Sequence, residues 1–407
     1  HLMANTFLKR KWSVLRLWEI YRDDVPREIH LFFILLLLFA LTLGAEVPRA
    51  DLFFDELTKG FIELTNIWGP VFMSFSLVLA TACLQQMGVS SIASYIWAII
   101  VALSTVILPL VSLRPNDCAA SAMLIAIFLV SLYIKRSVTL SRVCLLVVIF
   151  FISAAIKPFL LLTIPLFLTF LIHDSHIPER MKCWWVFLSA IGAIFSYALL
   201  FVLLVGSQDR IHLKESFSLW TFSFRLWSFF ASPGRSVFLY SPILLLSILG
   251  MSRLRKCNYE AARLLEGLIV LGIIISTLFS LGHGNVAWVS EPFLTFLPLA
   301  LLPVGFIDFH KSYRTTSLFV FLGILVQLLA FASRRVCTRD CFKSDLAVYH
   351  PDSTPLFDTL QSVFNGKLHG LTTLFAIDLD LGNLCVLLVL LLMLCSLFAL
   401  VAQLREK

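Results

Sequence analysis

Three acids in close succession, Asp51, Asp55 and Glu56, have the type and spacing to move a proton. On a short helix the i, i+4 interval sets Asp51 and Asp55 on one face with Glu56 adjacent, where a carboxylate can serve as general base toward a hydroxyl. Later in the chain stand the groups that can hold an anion: Arg114, Lys157, Arg225, Arg235 and His283. Lys157 is followed by Pro158 between two apolar runs, a place where proline breaks a helix and an ammonium is expensive. Arg225 lies among Trp220, Phe224, Trp227, Phe229 and Phe230, the pattern of an amphipathic segment resting on a membrane surface. Arg235 belongs to a polar turn, Ser-Pro-Gly-Arg-Ser at 232–236, that runs straight into an apolar segment, with Tyr240 about one helical turn further on. Each group also has a plainer reading. The acids can be a solvated interfacial face, Lys157 can snorkel from a tight turn, the arginines can anchor at headgroups, and His283 can simply pack in a loop.

The elements that must position these residues are membrane helices. The chain has 407 residues, 59% hydrophobic and only 14% charged, with a mean hydropathy of +0.92. Apolar runs such as 31–43, 267–281 and 384–401 are nearly continuous rather than alternating. Helices rather than a barrel are therefore expected to cross the bilayer. Residues 4–29 interleave Lys9, Arg10, Lys11 and Arg16 with Trp12, Leu15 and Trp18, a surface helix on the cytoplasmic leaflet. Residues 30–402 read as one polytopic domain. Its spans are expected near 30–45, 69–87, 92–112, 118–134, 141–156, 159–172, 184–206, 236–251, 264–281, 292–307, 316–333 and 382–402, about twelve in all.

Charge orients the spans. With the N-terminus inside, the inner connections carry Lys135, Arg136, Arg180, Lys182, Arg253, Arg255, Lys256, Arg263, Lys311 and Arg314. The C-terminal tail adds Arg405 and Lys407. The short outer turns at 113–117 and 282–291 hold one arginine between them. That is the positive-inside asymmetry, and it predicts both termini inside. The acidic 46–68 segment, the 207–235 segment and the 334–381 loop then lie outside, the last as a cap of short helices. The net charge of +7 is thereby a topology signal, and nucleic acid is not an expected partner. Cys337 and Cys341, on the outer side and four residues apart, are within reach of a disulfide if their Cβ vectors converge, and are otherwise free thiols. No zinc-type Cys/His spacing and no Walker A, GxGxxG, HExxH or GxSxG pattern occurs, which argues against an ATP-driven pump, a nicotinamide enzyme, a zinc protease or a serine hydrolase.

The stretch Ser-Pro-Gly-Arg-Ser-x-Phe-x-Tyr-Ser-Pro at 232–242 resembles a motif of bacterial polytopic proteins related to the GT-C glycosyltransferases. The similarity extends from about 92 to 385 and includes Ala102-Leu103-Ser104-Thr105 through Leu113-Arg114, Lys157-Pro158, and Gly282-His283-Gly284 through Trp288 to Pro303. Pro355-Leu356-Phe357 and Gly366-Lys367-Leu368-His369 are further pieces. The resemblance implies an all-α, GT-C-like integral membrane fold in the bacterial inner membrane. It also implies a polyprenyl-phosphate-linked sugar as donor and a lipid or cell-envelope acceptor on the extracytoplasmic side. In such enzymes an acid of the first outer loop is the base, which points to Asp51, Asp55 or Glu56, and the five cationic candidates would face the donor phosphate. A divalent metal is left open. One departure stands out. Where the family carries an arginine after Gly-Pro, this chain has Ser290-Glu291-Pro292-Phe293. The alternative expectation is therefore a non-catalytic GT-C-like subunit or lipid-binding scaffold of a larger membrane complex, with membrane lipids and a protein partner as its contacts.

Overall fold

The computed structural model describes residues 56–110, 114–172, 219–232, 236–279 and 291–333. Every regular element among them is helical, as the apolar patterning predicts. In chain order these are α1 (Glu56–Gln86), α2 (Ser91–Ser104), α3 (Ile107–Leu110), α4 (Pro115–Arg136) and α5 (Leu140–Ile156). A 3₁₀ turn (Pro158–Thr163), α6 (Ile164–Ile172), α7 (Leu219–Ala231), α8 (Val237–Tyr240), α9 (Leu244–Cys257) and α10 (Tyr259–Phe279) follow. The last described elements are α11 (Glu291–Leu301), a 3₁₀ turn (Leu302–Phe306) and α12 (Phe309–Ser333).

Three stretches, Trp68–Gln86, Pro115–Arg136 and Tyr259–Leu278, are long and apolar enough to cross a membrane. That is the architecture of a helical membrane protein. α4 is the central one: 72% of its apolar window is buried, against 56% and 50% for the other two. It packs along α1 and also touches α5 and α11. The α1 face that meets the interior is Met73, Ser76, Leu77, Ala80, Cys83 and Leu84, all fully buried and spaced by three and four. Opposite them α4 offers Ser121, in a turn of small buried residues, Ala119, Ala120 and Ala122. Small side chains allow two helices to approach where lipid supplies no hydrophobic drive, and a Ser76–Ser121 hydroxyl contact of 3.0 Å bridges the seam.

Several buried hydroxyls are satisfied within their own helices. Ser74 donates to the Pro70 carbonyl at 2.7 Å, Ser131 to that of Ile127 at 2.8 Å and Thr277 to that of Ile273 at 2.7 Å.

Two of the expected continuous spans are broken. The 92–112 run stops as α2 at Ser104; Thr105 is extended, and α3 resumes at Ile107. The 236–251 run is divided by Ser241-Pro242 into a single turn, α8, and then α9, because Pro242 has no N–H with which to continue the ladder. The two breaks meet. The Val106 N–H donates to Ser241 Oγ at 3.2 Å, and Gln327 Nε2 on α12 donates to the Tyr240 carbonyl at 2.8 Å. One turn before Gln327, Gly323 lies so close to the Ser104 carbonyl that an added Cβ would stand 2.4 Å from it. Tyr240 is fully buried. It is part of this interior junction.

A further difference concerns the acids after the first expected span. Glu56 opens α1, which runs unbroken through Pro70 for 31 residues, about 46 Å at the usual rise. The second half of the expected 46–68 connection is therefore a continuation of the 69–87 span, not a separate surface helix. Asp51 and Asp55 lie outside the described residues, as do the 4–29 segment, the first expected span, 184–206, the 334–381 loop and 382–402.

Candidate functional site

Polar chemistry gathers at the N-terminal end of α4. Pro115 occupies the first helical position, where its missing N–H costs nothing, and Asp117 lies in the first turn, where the helix dipole favours an acid. Arg114 precedes them at the cap, its carbonyl accepting the Asp117 N–H at 3.1 Å. Across from this end α5 stops at Lys157 because Pro158 follows, and the Lys157 N–H closes the last turn on the Ser153 carbonyl at 2.9 Å. A cation there suits the negative pole of α5.

Lys157 Nζ meets Asp117 Oδ1 at 3.1 Å. The Asp117 side chain is 5% exposed and that of Lys157 29%, so the acid is the more deeply buried partner. Thr295 on α11 adds a hydroxyl donor to the same Oδ1 at 3.5 Å. Three helices thus converge on one buried carboxylate.

α11 also ties the neighbouring aromatic wall together. Phe296 stacks on Phe159 of the Pro158 turn at 6.2 Å between centroids, and Phe293 meets Phe229 of α7 edge-on at 5.0 Å. α7 is two-faced, as its sequence predicts. Trp220 and Trp227 are 80% and 64% exposed, whereas Arg225, Ser228, Phe229 and Ser232 are buried. Arg225 therefore belongs to the inward face of α7, at 6% exposure, and is not a headgroup anchor on the outward one.

Of the cationic candidates, the structure brings Arg114 and Lys157 to the same end of α4 and places Arg225 on the helix that packs through Phe229 against α11. Arg235, His283, Cys337 and Cys341 lie outside the described residues, and of Glu56 the backbone alone is described. Among the described residues no group of three or more His, Cys, Asp or Glu side chains comes together as a metal site.

Asp117 is the functional candidate that sequence reasoning missed, having been read as the last residue of a bland outer turn. Its signal was present in Pro115-Asn116-Asp117, the composition of a helix start with an acid in the first turn. An acid at the edge of an apolar run also needs a partner, and Lys157 was the costly cation in want of one.

The opposite end of α4 is also charged. Lys135 pairs with Glu260 and lies 4.5 Å from the centroid of the Phe170 ring. Arg136 Nη2 donates to the Gln86 carbonyl at 2.6 Å, and Arg142 Nη1 to the carbonyls of Tyr133 at 3.0 Å and Ser137 at 2.9 Å. Arg255 Nε bonds Glu266 Oε1 at 2.5 Å, and that carboxylate raises the guanidinium above its ordinary value.

No protein-family model matches the sequence, and neither a curated protein nor a solved structure is matched by it.

Proposed function

We propose that the chain is a multi-pass GT-C-type glycosyltransferase of a bacterial inner membrane. It moves a sugar from a polyprenyl-phosphate donor to a lipid or cell-envelope acceptor on the extracytoplasmic side. The observation that carries this reading is the placement of Arg114 and Lys157 at one end of α4, against α11, on which the helix of the inward-facing Arg225 also packs. Cations collected at a helix N-terminus suit a leaving phosphate, whose charge grows as the bond to the sugar breaks. The reading also draws on the sequence resemblance, which adds Arg235 and His283 to the phosphate side and Asp51, Asp55 or Glu56 as base.

In this mechanism the acceptor oxygen forms a bond to the sugar's anomeric carbon while the bond from that carbon to the phosphate oxygen breaks. The acceptor proton passes to the carboxylate, and polyprenyl phosphate leaves with its electron pair, held by the cations. The test is transfer by the purified full chain together with mass spectrometry of the lipids that copurify. Asp51→Asn and Asp55→Asn are expected to abolish transfer without loss of folded protein. Full activity in both variants removes the base assignment.

A second reading keeps the frame without the reaction: a lipid-binding scaffold subunit. The engagement of Lys157 by Asp117 favours it, since a phosphate-binding lysine is there occupied by a protein anion. Copurification of a stoichiometric membrane partner with no phosphorylated lipid would select this scaffold over the enzyme.

A further inference from the structure

We propose that the junction where α2 and α8 break off binds a monovalent cation, sodium, held by main-chain and side-chain oxygens. The site uses none of the residues assigned above to the transferase chemistry.

A helix that ends inside a bundle leaves its last four carbonyls to find donors elsewhere. At the end of α2 the hydroxyls of Ser104 and Thr105 fold back, to the carbonyls of Ile100 at 2.6 Å and Val101 at 2.7 Å. The next two carbonyls, those of Ala102 and Leu103, would be served by the amides of Val106 and Ile107. Those amides go elsewhere: Val106 N–H to Ser241 Oγ, and Ile107 N–H to Thr105 Oγ1 at 3.4 Å. Two carbonyls at the negative pole of a 14-residue helix are thereby left without their ladder donors. The whole of 102–107 is buried.

A second group, on another helix, has the same deficit. Gln327 of α12 is 1% exposed, and its Oε1 has no donor among the described residues. The amide cannot be turned around, because its Nε2 donates to the Tyr240 carbonyl and a reversed amide would set two oxygens against each other. Its oxygen therefore lies one amide's width from the break at Ser241. Gly323, one turn earlier, brings α12 against the Ser104 carbonyl, and α12 touches α2, α3 and α8.

Three acceptors are left over, Gln327 Oε1 and the carbonyls of Ala102 and Leu103, with Ser241 Oγ joining the two breaks. Oxygens alone repel an anion and attract a cation. The stretches that meet here, 101–107, 237–243 and 320–327, contain no Asp, Glu, Lys, Arg or His. Without a carboxylate to balance it a divalent ion is disfavoured, whereas neutral oxygens at interrupted helices suit sodium inside a membrane protein. A single water brings two hydrogens to three acceptors, and a cation is shared by all of them.

The full chain is purified in an uncharged detergent with choline chloride as the salt. Equilibrium binding of radioactive sodium is measured, and thermal melts are run in sodium, calcium or choline chloride at one ionic strength. Saturable binding of one sodium per chain is expected, with a melting temperature that climbs with sodium and not with choline. Gln327→Leu and Ser241→Ala are each expected to weaken sodium binding roughly tenfold. Ser241→Thr, which keeps the hydroxyl, is expected to bind within about threefold of the parent chain.

Absence of saturable sodium binding by the folded parent chain overturns the site and leaves the junction to water. Undiminished binding in folded Gln327→Leu and Ser241→Ala overturns it too, since the ion would then sit elsewhere. Equal stabilisation by choline reduces the effect to general salt, and tighter binding of calcium than of sodium overturns the monovalent assignment. Should Gln327→Leu fail to fold, the contrast between Ser241→Ala and Ser241→Thr decides: equal binding by the two overturns the site, and a loss confined to Ser241→Ala supports it.

Discussion

At its Lys135 end α4 spreads its charged contacts over several partners, and at its Asp117 end it gathers them on one buried acid. Arg142 reaches back to Ser137 and Tyr133 across one connection, and Arg255 bonds Glu266 across another. Such contacts lock short connections, and Lys135 adds a pair with Glu260 of α10. At the other end, about 27 Å away along the helix axis, Asp117 gathers Lys157 from α5 and Thr295 from α11. The difference teaches what each end is for. Contacts spread over several partners fix the connections, while a buried acid shared among three helices fixes where one lysine stands.

The contrast depends on a frame that keeps both ends in register, and the largest effect should come from breaking that frame. Gly323→Leu drives a side chain into the Ser104 carbonyl where α12 crosses α2. It is expected to cost about 3 kcal/mol or more, read as loss of the monodisperse peak in size-exclusion chromatography and a collapsed melting temperature in detergent. Next comes the Asp117 end itself. Lys157→Met removes the ammonium and leaves the buried carboxylate with Thr295 and the helix dipole, for an expected loss of about 2 kcal/mol. A thermal melt of the folded variant measures it, and a loss no larger than that at the Lys135 end would dissolve the contrast.

The smallest effect belongs to the Lys135 end. Glu260→Gln parts an ion pair whose members are 19% and 34% exposed and should cost under about 1 kcal/mol. Raising the salt to molar concentration should erase most of that difference while leaving the Lys157→Met loss largely intact. Equal salt sensitivity at both ends would mean that Asp117 is as solvated as Glu260.

Part of this was legible in the one-dimensional pattern. The helical class followed from continuous apolar runs, and the helices around 115–136 and 259–279 sit where hydropathy placed them. The two faces of α7 were visible as Trp220, Phe224 and Trp227 at helical spacing on one side and Arg225 and Phe229 on the other. Lys157-Pro158 was visible as a cation at a forced helix end. The breaks at Thr105 and Ser241 were less so, since 92–112 and 236–251 are apolar enough to cross as single helices. Hydropathy sums side-chain transfer energies over a window and is blind to where the backbone ladder stops. What lets the ladder stop inside the bundle is an exchange of partners, Val106 to Ser241 and Gln327 to Tyr240, across more than eighty positions in the second case.

By itself, then, the sequence determined the helical class, the apolar surfaces, the basic connections and the residues at which helices must end, because each follows from local composition and from proline's missing donor. Tertiary structure decided which ends meet. Asp117 became a candidate when α5 and α11 brought an ammonium and a hydroxyl to it, and Arg225 turned inward when Phe229 found Phe293. Pairing between distant charges depends on how helices cross, and crossing is set by small-residue seams such as Ala119–Ala122 and Gly323, whose meaning appears once the facing helix is in place.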